Sequence, residues 1–271
     1  MKRIINRQPG NGSGFALGLL PFILLSALYL FGSNLRLAAN PNDKLLPSLN
    51  SLAAAIQQMA FEEDRRSGDV LLWLDTGASL QRLAIALTIS ATIGLLIGIA
   101  IGLIPYVRAT FASLVAALAM IPPLAILPIL FIVVGLGEAA KIVLIVVGVA
   151  PCIARDIALR VGELPAEQLI KAQTLGASTW QLTLRVVLPQ MWPRLIDSLR
   201  LSLGSAWLFL IAAEAIASTE GLGYRIFLVR RYLAMDIILP YVVWITLLAF
   251  ATDWILRRLR ARLFPWAEPQ R

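Results

Sequence analysis

The sequence predicts an all-α integral membrane protein with about six transmembrane helices, and three observations carry that prediction. Hydrophobic residues make up 59% of the 271-residue chain, well above the apolar share of an ordinary soluble domain. Six apolar blocks recur along it, each near or beyond the ~18 residues that mark a helix able to cross a hydrocarbon core. One long stretch of mixed polar and apolar residues, 164–189, is set between two of those blocks. Composition also closes off chemistry. The chain has no histidine, which removes histidine bases, Ser-His triads and histidine-ligated zinc. Its one cysteine, Cys152, permits no intrachain disulfide. The net charge of +8 does not call for nucleic acid, because basic residues gather beside the cytoplasmic ends of spans. No metal and no cofactor are expected.

Taken in order, residues 1–14 form a polar lead with Lys2, Arg3 and Arg7. Residues 15–32 are the first span. A cleaved signal peptide is the competing reading, though no small-x-small cleavage site follows at the usual distance. Residues 33–78 are an external segment, and 45–61 within it has the pattern of an amphipathic helix lying on the outer surface. A solvated loop is the alternative. The second span, 79–104, carries Gly94, Gly98 and Gly102 on one helical face, which lets another helix approach closely in lipid. A turn at Pro105 leads into the third span, 109–134. Pro122 and Pro123 interrupt that span and must kink or break it. Broken backbone at membrane depth is tolerated only against protein or a water-lined path, so a packing kink and a substrate-facing break both stand open. The fourth span is 139–158 and the fifth 195–217. Residues 218–236 read as a polar loop, 237–255 as the sixth span, and 257–262 as a basic tail before the last residues, 267–271. Six spans starting from the inside place both termini and 164–189 in the cytoplasm, and the Lys/Arg distribution shows a moderate excess on that side.

The stretch 164–189, LPAEQLIKAQTLGASTWQLTLRVVLP, predicts two short helices meeting at a glycine. Pro165 suits a first helical turn, and Gly176 can turn the chain. Ser178 and Gln181 are spaced as a capping box that starts the second helix at once. That helix is expected to stop near Pro189. The knob would display Leu169, Leu175, Trp180 and Leu182. It is either a connector packed on its own protein or a surface gripped by a partner. The pattern resembles the EAA coupling loop in permease subunits of bacterial ABC importers. Ala172, Gly176, Leu188 and Pro189 fall on matching positions, whereas Ile170 and Lys171 stand where that family has its glutamate and first alanine. The resemblance covers roughly 79–266, the expected permease core. It implies a type I permease fold of the nitrate/sulfonate/taurine/bicarbonate group, with coupling residues Ala172, Gly176, Ala177, Leu188 and Pro189. Implied partners are an ATP-binding subunit, an external solute-binding protein and a second permease copy, all at the lipid of the bacterial inner membrane. The runs IPPLAILPILFIVVGLGE and EGLGYRIFLVRRYLAMDIILP resemble permeases that accompany urea-carboxylase systems, which implies a small nitrogen compound as one kind of solute.

Few residues could carry chemistry. A phosphate-binding loop needs Gly-Lys before Ser or Thr, and none of the four lysines, Lys2, Lys44, Lys141 and Lys171, follows a glycine. Any ATP hydrolysis is therefore expected on a separate subunit. Glu214 sits in the apolar run WLFLIAAEAIAS, where a carboxylate must find a partner or water. It pairs with an arginine of the Gly221–Arg231 region, lines a substrate path, or is solvated at the outer interface. Trp207, Pro122 and Pro123 are the other candidates along such a path, and Asp253 is expected to pair with the basic tail. An ion-coupled secondary transporter is the alternative function. It would want intramembrane acids in repeated halves, and Glu214 is the one good intramembrane acid.

Overall fold

The computed structural model describes residues 10–40, 43–64 and 68–267. Most of the expected lead, Arg65 and Arg66, and all but the first residue of the expected 267–271 tail lie outside them. The chain opens with α1, Asn11–Ala39, which is longer than the expected 15–32 and stands almost wholly exposed. It touches the rest near its end, where Tyr29 Oη donates to Pro47 O at 2.7 Å and Ser33 Oγ to Leu46 O at 3.0 Å. The external segment holds α2, Leu49–Phe61, started by Ser48, whose hydroxyl accepts from Ser51 N. Its small residues Ala55 and Ala60 are buried, so 49–61 is a helix rather than a solvated loop.

Next comes α3, Leu71–Leu103, which begins eight residues before the expected second span. The missed turns hold Asp75 and Thr76, both buried. Polar residues hide a helix start from a hydropathy reading. Helix α6, Glu138–Gly162, packs on α3 in parallel, and the three glycines are the seam. A Cβ on Gly94 would come within 2.6 Å of Ile153, on Gly98 within 2.7 Å of Ile157, and on Gly102 within 2.5 Å of Val161. Only glycine permits this approach of backbones.

Between them the chain makes α4, Pro105–Leu118, and α5, Pro123–Val134. The expected third span is broken: the two helices bend by 95° at the Ile121–Pro122–Pro123 corner. Neither proline has an N–H to donate, and Pro123 instead occupies the first turn of α5, where none is needed. Pro105 does the same for α4, so the expected turn shrinks to Ile104. Among the described residues, five helices are long and apolar enough to cross a membrane, or six if the bent pair is one span.

After α6 come α7, Ala166–Thr174, and α8, Thr179–Leu182, then a π-type turn, Thr183–Val187, and α9, Leu188–Ala217. The last three form one continuous helical run of 39 residues. Two expectations are corrected here. Pro189 does not stop the chain, and the fifth span begins at Leu188 rather than 195. In the widened turn the Leu188 N–H reaches back to Thr183 O, an i→i−5 bond that loosens the ladder where the proline ring would otherwise collide with a carbonyl. The expected loop 218–236 contains helix α10, Leu222–Arg230. The sixth span, α11, runs Met235–Leu263 and takes the basic tail into its last turns. The core is built from α3, α6 and α9, with Leu144, Ile145, Ile153, Ile157, Met191 and Leu210 at its centre.

Candidate functional site

The elbow between α6 and α9 is assembled by local hydrogen bonds. Pro165 caps α7, with Glu167 in its first turn and Lys171 in its last, both favourable to the helix dipole. The helix closes on Gly176, whose φ of +81° lies in the left-handed region. Gly176 N donates to Gln173 O at 2.9 Å and Ala177 N to Ala172 O at 3.0 Å, the paired bonds of a Schellman stop. Thus Ala172, Gly176 and Ala177 form one turn. Ser178 then supplies both halves of the expected capping box: its N–H donates to Gln181 Oε1 at 2.9 Å, and its hydroxyl accepts from Gln181 N.

This scaffold sets which apolar residues face outward. Leu175 is 88% exposed and Trp180 70%, as expected. Leu182 is buried and Leu169 packs on the core, against expectation. Ile170, at the position of the family glutamate, is 56% exposed, and Leu184 is exposed too. Sequence reading missed Ile170 and Leu184 because their direction depends on how each short helix is rolled on α9. Ala172 and Leu188 pack partly against the core, and Pro189 lies at the surface. The Gln190 amide joins the two arms, donating to Gln168 Oε1 at 3.1 Å. The end of α11 lies at the same end of the bundle, through Arg260 to Asp197 at 3.0 Å. Asp253 pairs with Arg257 of the basic tail at 2.8 Å, as expected, and also with Arg200 of α9 at 2.7 Å.

A second polar cluster closes the opposite end. Asp75, Ser79 and Arg82 lie at i, i+4 and i+7 on one face of α3, which points at the start of α10. Gly221 N donates to Asp75 at 2.9 Å, Leu222 N to Ser79 Oγ at 2.9 Å, and Gly223 N to Glu214 at 2.9 Å. Three consecutive amides at one helix start thereby find oxygen acceptors. Glu214 is fully buried. Besides Gly223 it holds Arg82 Nη1 at 2.9 Å and the Ser79 hydroxyl at 2.8 Å. Its arginine comes from α3 and not from the Gly221–Arg231 region. The arginine of that region, Arg225, pairs with Asp75 at 2.8 Å, and Tyr241 donates to the same carboxylate at 3.1 Å. Arg82 also reaches Glu138, which Lys141 approaches to 2.6 Å. Gly221 has φ +120°, and a Cβ there would lie 2.6 Å from the Glu214 carboxyl carbon. The i, i+4, i+7 spacing of Asp75, Ser79 and Arg82 was a usable signal, hidden by a span boundary drawn at Ser79.

Of the other expected path residues, Pro122 is exposed and Pro123 half-buried at the α4–α5 corner. Trp207 is buried, and its indole Nε1 finds no hydrogen-bond partner among the described residues. Among these residues no group of three His, Cys, Asp or Glu could hold a metal ion.

Residues 85–265 match the family described as binding-protein-dependent transport system inner membrane component. The chain is 37% identical to the taurine transport system permease protein TauC of Escherichia coli over 73% of its length and 72% of that protein's. It is 33% identical to the bicarbonate transport system permease protein CmpB of Synechococcus elongatus, over 72% and 74% of the two chains. A chain of the MetNI methionine ABC transporter, solved in inward-facing conformations, shares its fold with a TM-score of 0.57, covering 69% of this chain and 95% of that one at 24% identity. The chain therefore belongs to the binding-protein-dependent inner membrane components, the permease subunits of ABC importers.

Proposed function

We propose that the elbow is the handle by which a separate ATP-binding subunit drives this permease. The observation that carries the reading is an apolar face, Leu175, Trp180 and Ile170, held out from the bundle on a turn that is fully hydrogen-bonded within itself. Exposed apolar residues on a rigid, bonded scaffold make a docking anchor. Ala172, Gly176, Ala177, Leu188 and Pro189 give the anchor its shape: the first three set the bend, and the last two join it to α9. Motion at the elbow would pass into α9, because the helical run is continuous from Thr179 to Ala217.

The elbow end is proposed to face the cytoplasm with both termini. It carries Arg108, Arg155, Arg160, Lys171, Arg185, Arg194, Arg200 and the arginines of α11. At the other end, Arg82, Lys141 and Arg225 are engaged by carboxylates and Arg230 and Arg231 are not, whereas at the elbow end Arg108, Arg155, Lys171, Arg185 and Arg194 have no carboxylate partner among the described residues, an excess that favours the cytoplasmic side. Helix α4 buries no residue and α5 only Leu127, so we assign this apolar flank to a second copy of the chain. A path between copies would pass the Pro122–Pro123 corner. Glu214 and Trp207 are buried behind it, and they would come to line the path only when α10 or α5 shifts. The cargo is proposed to be a small polar solute delivered by an external binding protein, of the kind named for the taurine, aliphatic sulfonate and bicarbonate relatives.

Affinity purification of the tagged chain from membranes tests the handle. Recovery of an ATP-binding subunit that is lost with Trp180→Asp supports it. Equal recovery with both chains, or Gly176→Asp transporting at the unaltered rate, overturns it.

A further inference from the structure

We infer that the groove between α4 and α6, at the elbow end of the bundle, binds an oxyanion head carried on a small apolar body, with Arg108 and Arg155 as its ligands. The groove encloses about 580 Å³. Its walls include Ala112, Val115, Ala116 and Leu159, small or aliphatic side chains that offer no polar contact to a bound body.

The two arginines reach the groove in different states. Arg108 is rooted: its Nε donates to Ile101 O at 3.1 Å and its Nη2 to Gly102 O, the open carbonyls at the end of α3. Those bonds use two of five guanidinium donors and fix the plane of the rest. Arg155 makes no hydrogen bond or ion pair among the described residues. It lies seven residues before the end of α6, about 10 Å along the axis at 1.5 Å per residue. Its side chain is exposed on the groove wall, so its five donors are open to a ligand. The acid that shares the groove does not supply one, because Glu163 is held by Arg160 at 3.2 Å, as is Asp156 at 3.5 Å. The buried cations Arg82 and Lys141, at the far end, both have carboxylate partners. What remains in the groove is one guanidinium set in place and one lacking a partner. An oxyanion, whether a planar carboxylate or a tetrahedral sulfonate or phosphodiester, can accept charge-assisted hydrogen bonds from the free donors of both.

A sulfonate or carboxylate solute and the phosphodiester of an anionic lipid share this chemistry, and two arms separate them. In the first, the assembled transporter in maltoside micelles is titrated with ethanesulfonate by calorimetry. In the second, the same assembly is loaded with phosphatidylglycerol, and retained lipid is counted by native mass spectrometry. Arg155→Gln is the variant of choice because Arg155 supports nothing in the fold, whereas Arg108→Gln would also uncap α3. Loss of a charged hydrogen bond predicts about tenfold weaker binding in whichever arm is the true one. Ethanesulfonate binding that depends on Arg155 identifies a cargo site, and phosphatidylglycerol retention that depends on it identifies a lipid site. Arg155→Gln indistinguishable from the parent chain in both arms overturns the inference. Only the cargo arm rests on the importer reading. If Arg155→Gln still recovers the ATP-binding subunit, that reading stands whichever way the binding result falls.

Discussion

Glu214 shows how one side chain can be read correctly as exceptional and still be assigned the wrong partner. Its burial in an apolar helix demands a counter-charge, which Arg82 provides at 2.9 Å, but 132 residues separate the two, and no local pattern joins them. Breaking a buried pair from one side leaves a charge uncompensated and costs on the order of 3 kcal/mol. Glu214→Gln should therefore lower the thermal midpoint of the purified chain by several degrees. Arg82→Gln combined with it should cost less than the sum of the two single changes, and strict additivity would show that the pair is not coupled. The exposed elbow residues should behave in the opposite way. Leu175→Asp should leave the midpoint unchanged, since the side chain touches little of its own protein, yet reduce recovery of the ATP-binding subunit at least tenfold.

Among the elements, the pairing of α3 with α6 and the start of α9 make contrasting cases. The four-residue glycine spacing marks a close approach, and the structure finds Ile153, Ile157 and Val161 opposite it. Gly98→Val should force those backbones apart at a cost of roughly 1–3 kcal/mol, measurable as a drop in denaturation midpoint. Were that variant as stable as its parent, the close contact would not exist in the membrane. Pro189 looks like a stop by the same local rules, but the π-type turn before it removes the collision that makes proline a breaker. Pro189→Ala should accordingly change stability by less than ~0.5 kcal/mol, the ordinary scale for a surface position. A large loss would mean that the proline itself holds the turn open.

At the scale of the molecule, helix direction ties the elbow to the end of α11. Arg260 meets Asp197, and Arg200 meets Asp253, so both segments emerge from one end. Cysteines placed at Thr174 and Ala267, in a Cys152→Ser background, should react with a membrane-impermeant thiol reagent from the same face of sealed vesicles. Labelling from opposite faces would contradict the packing. The class of the protein, the glycine seam, the capping box and the left-handed Gly176 were all readable in the sequence, because each depends on residues within a few turns of one another or on bulk apolarity. Three features were not readable: the partners of Glu214, the roll of α7 and α8 that turns Ile170 outward and Leu182 inward, and the placing of Arg108 and Arg155 on one groove. They depend on the rotation and offset of helices far apart in the chain. Hydropathy sets which segments enter the bilayer but leaves rotation about the helix axis free, and only side-chain packing between helices selects one angle.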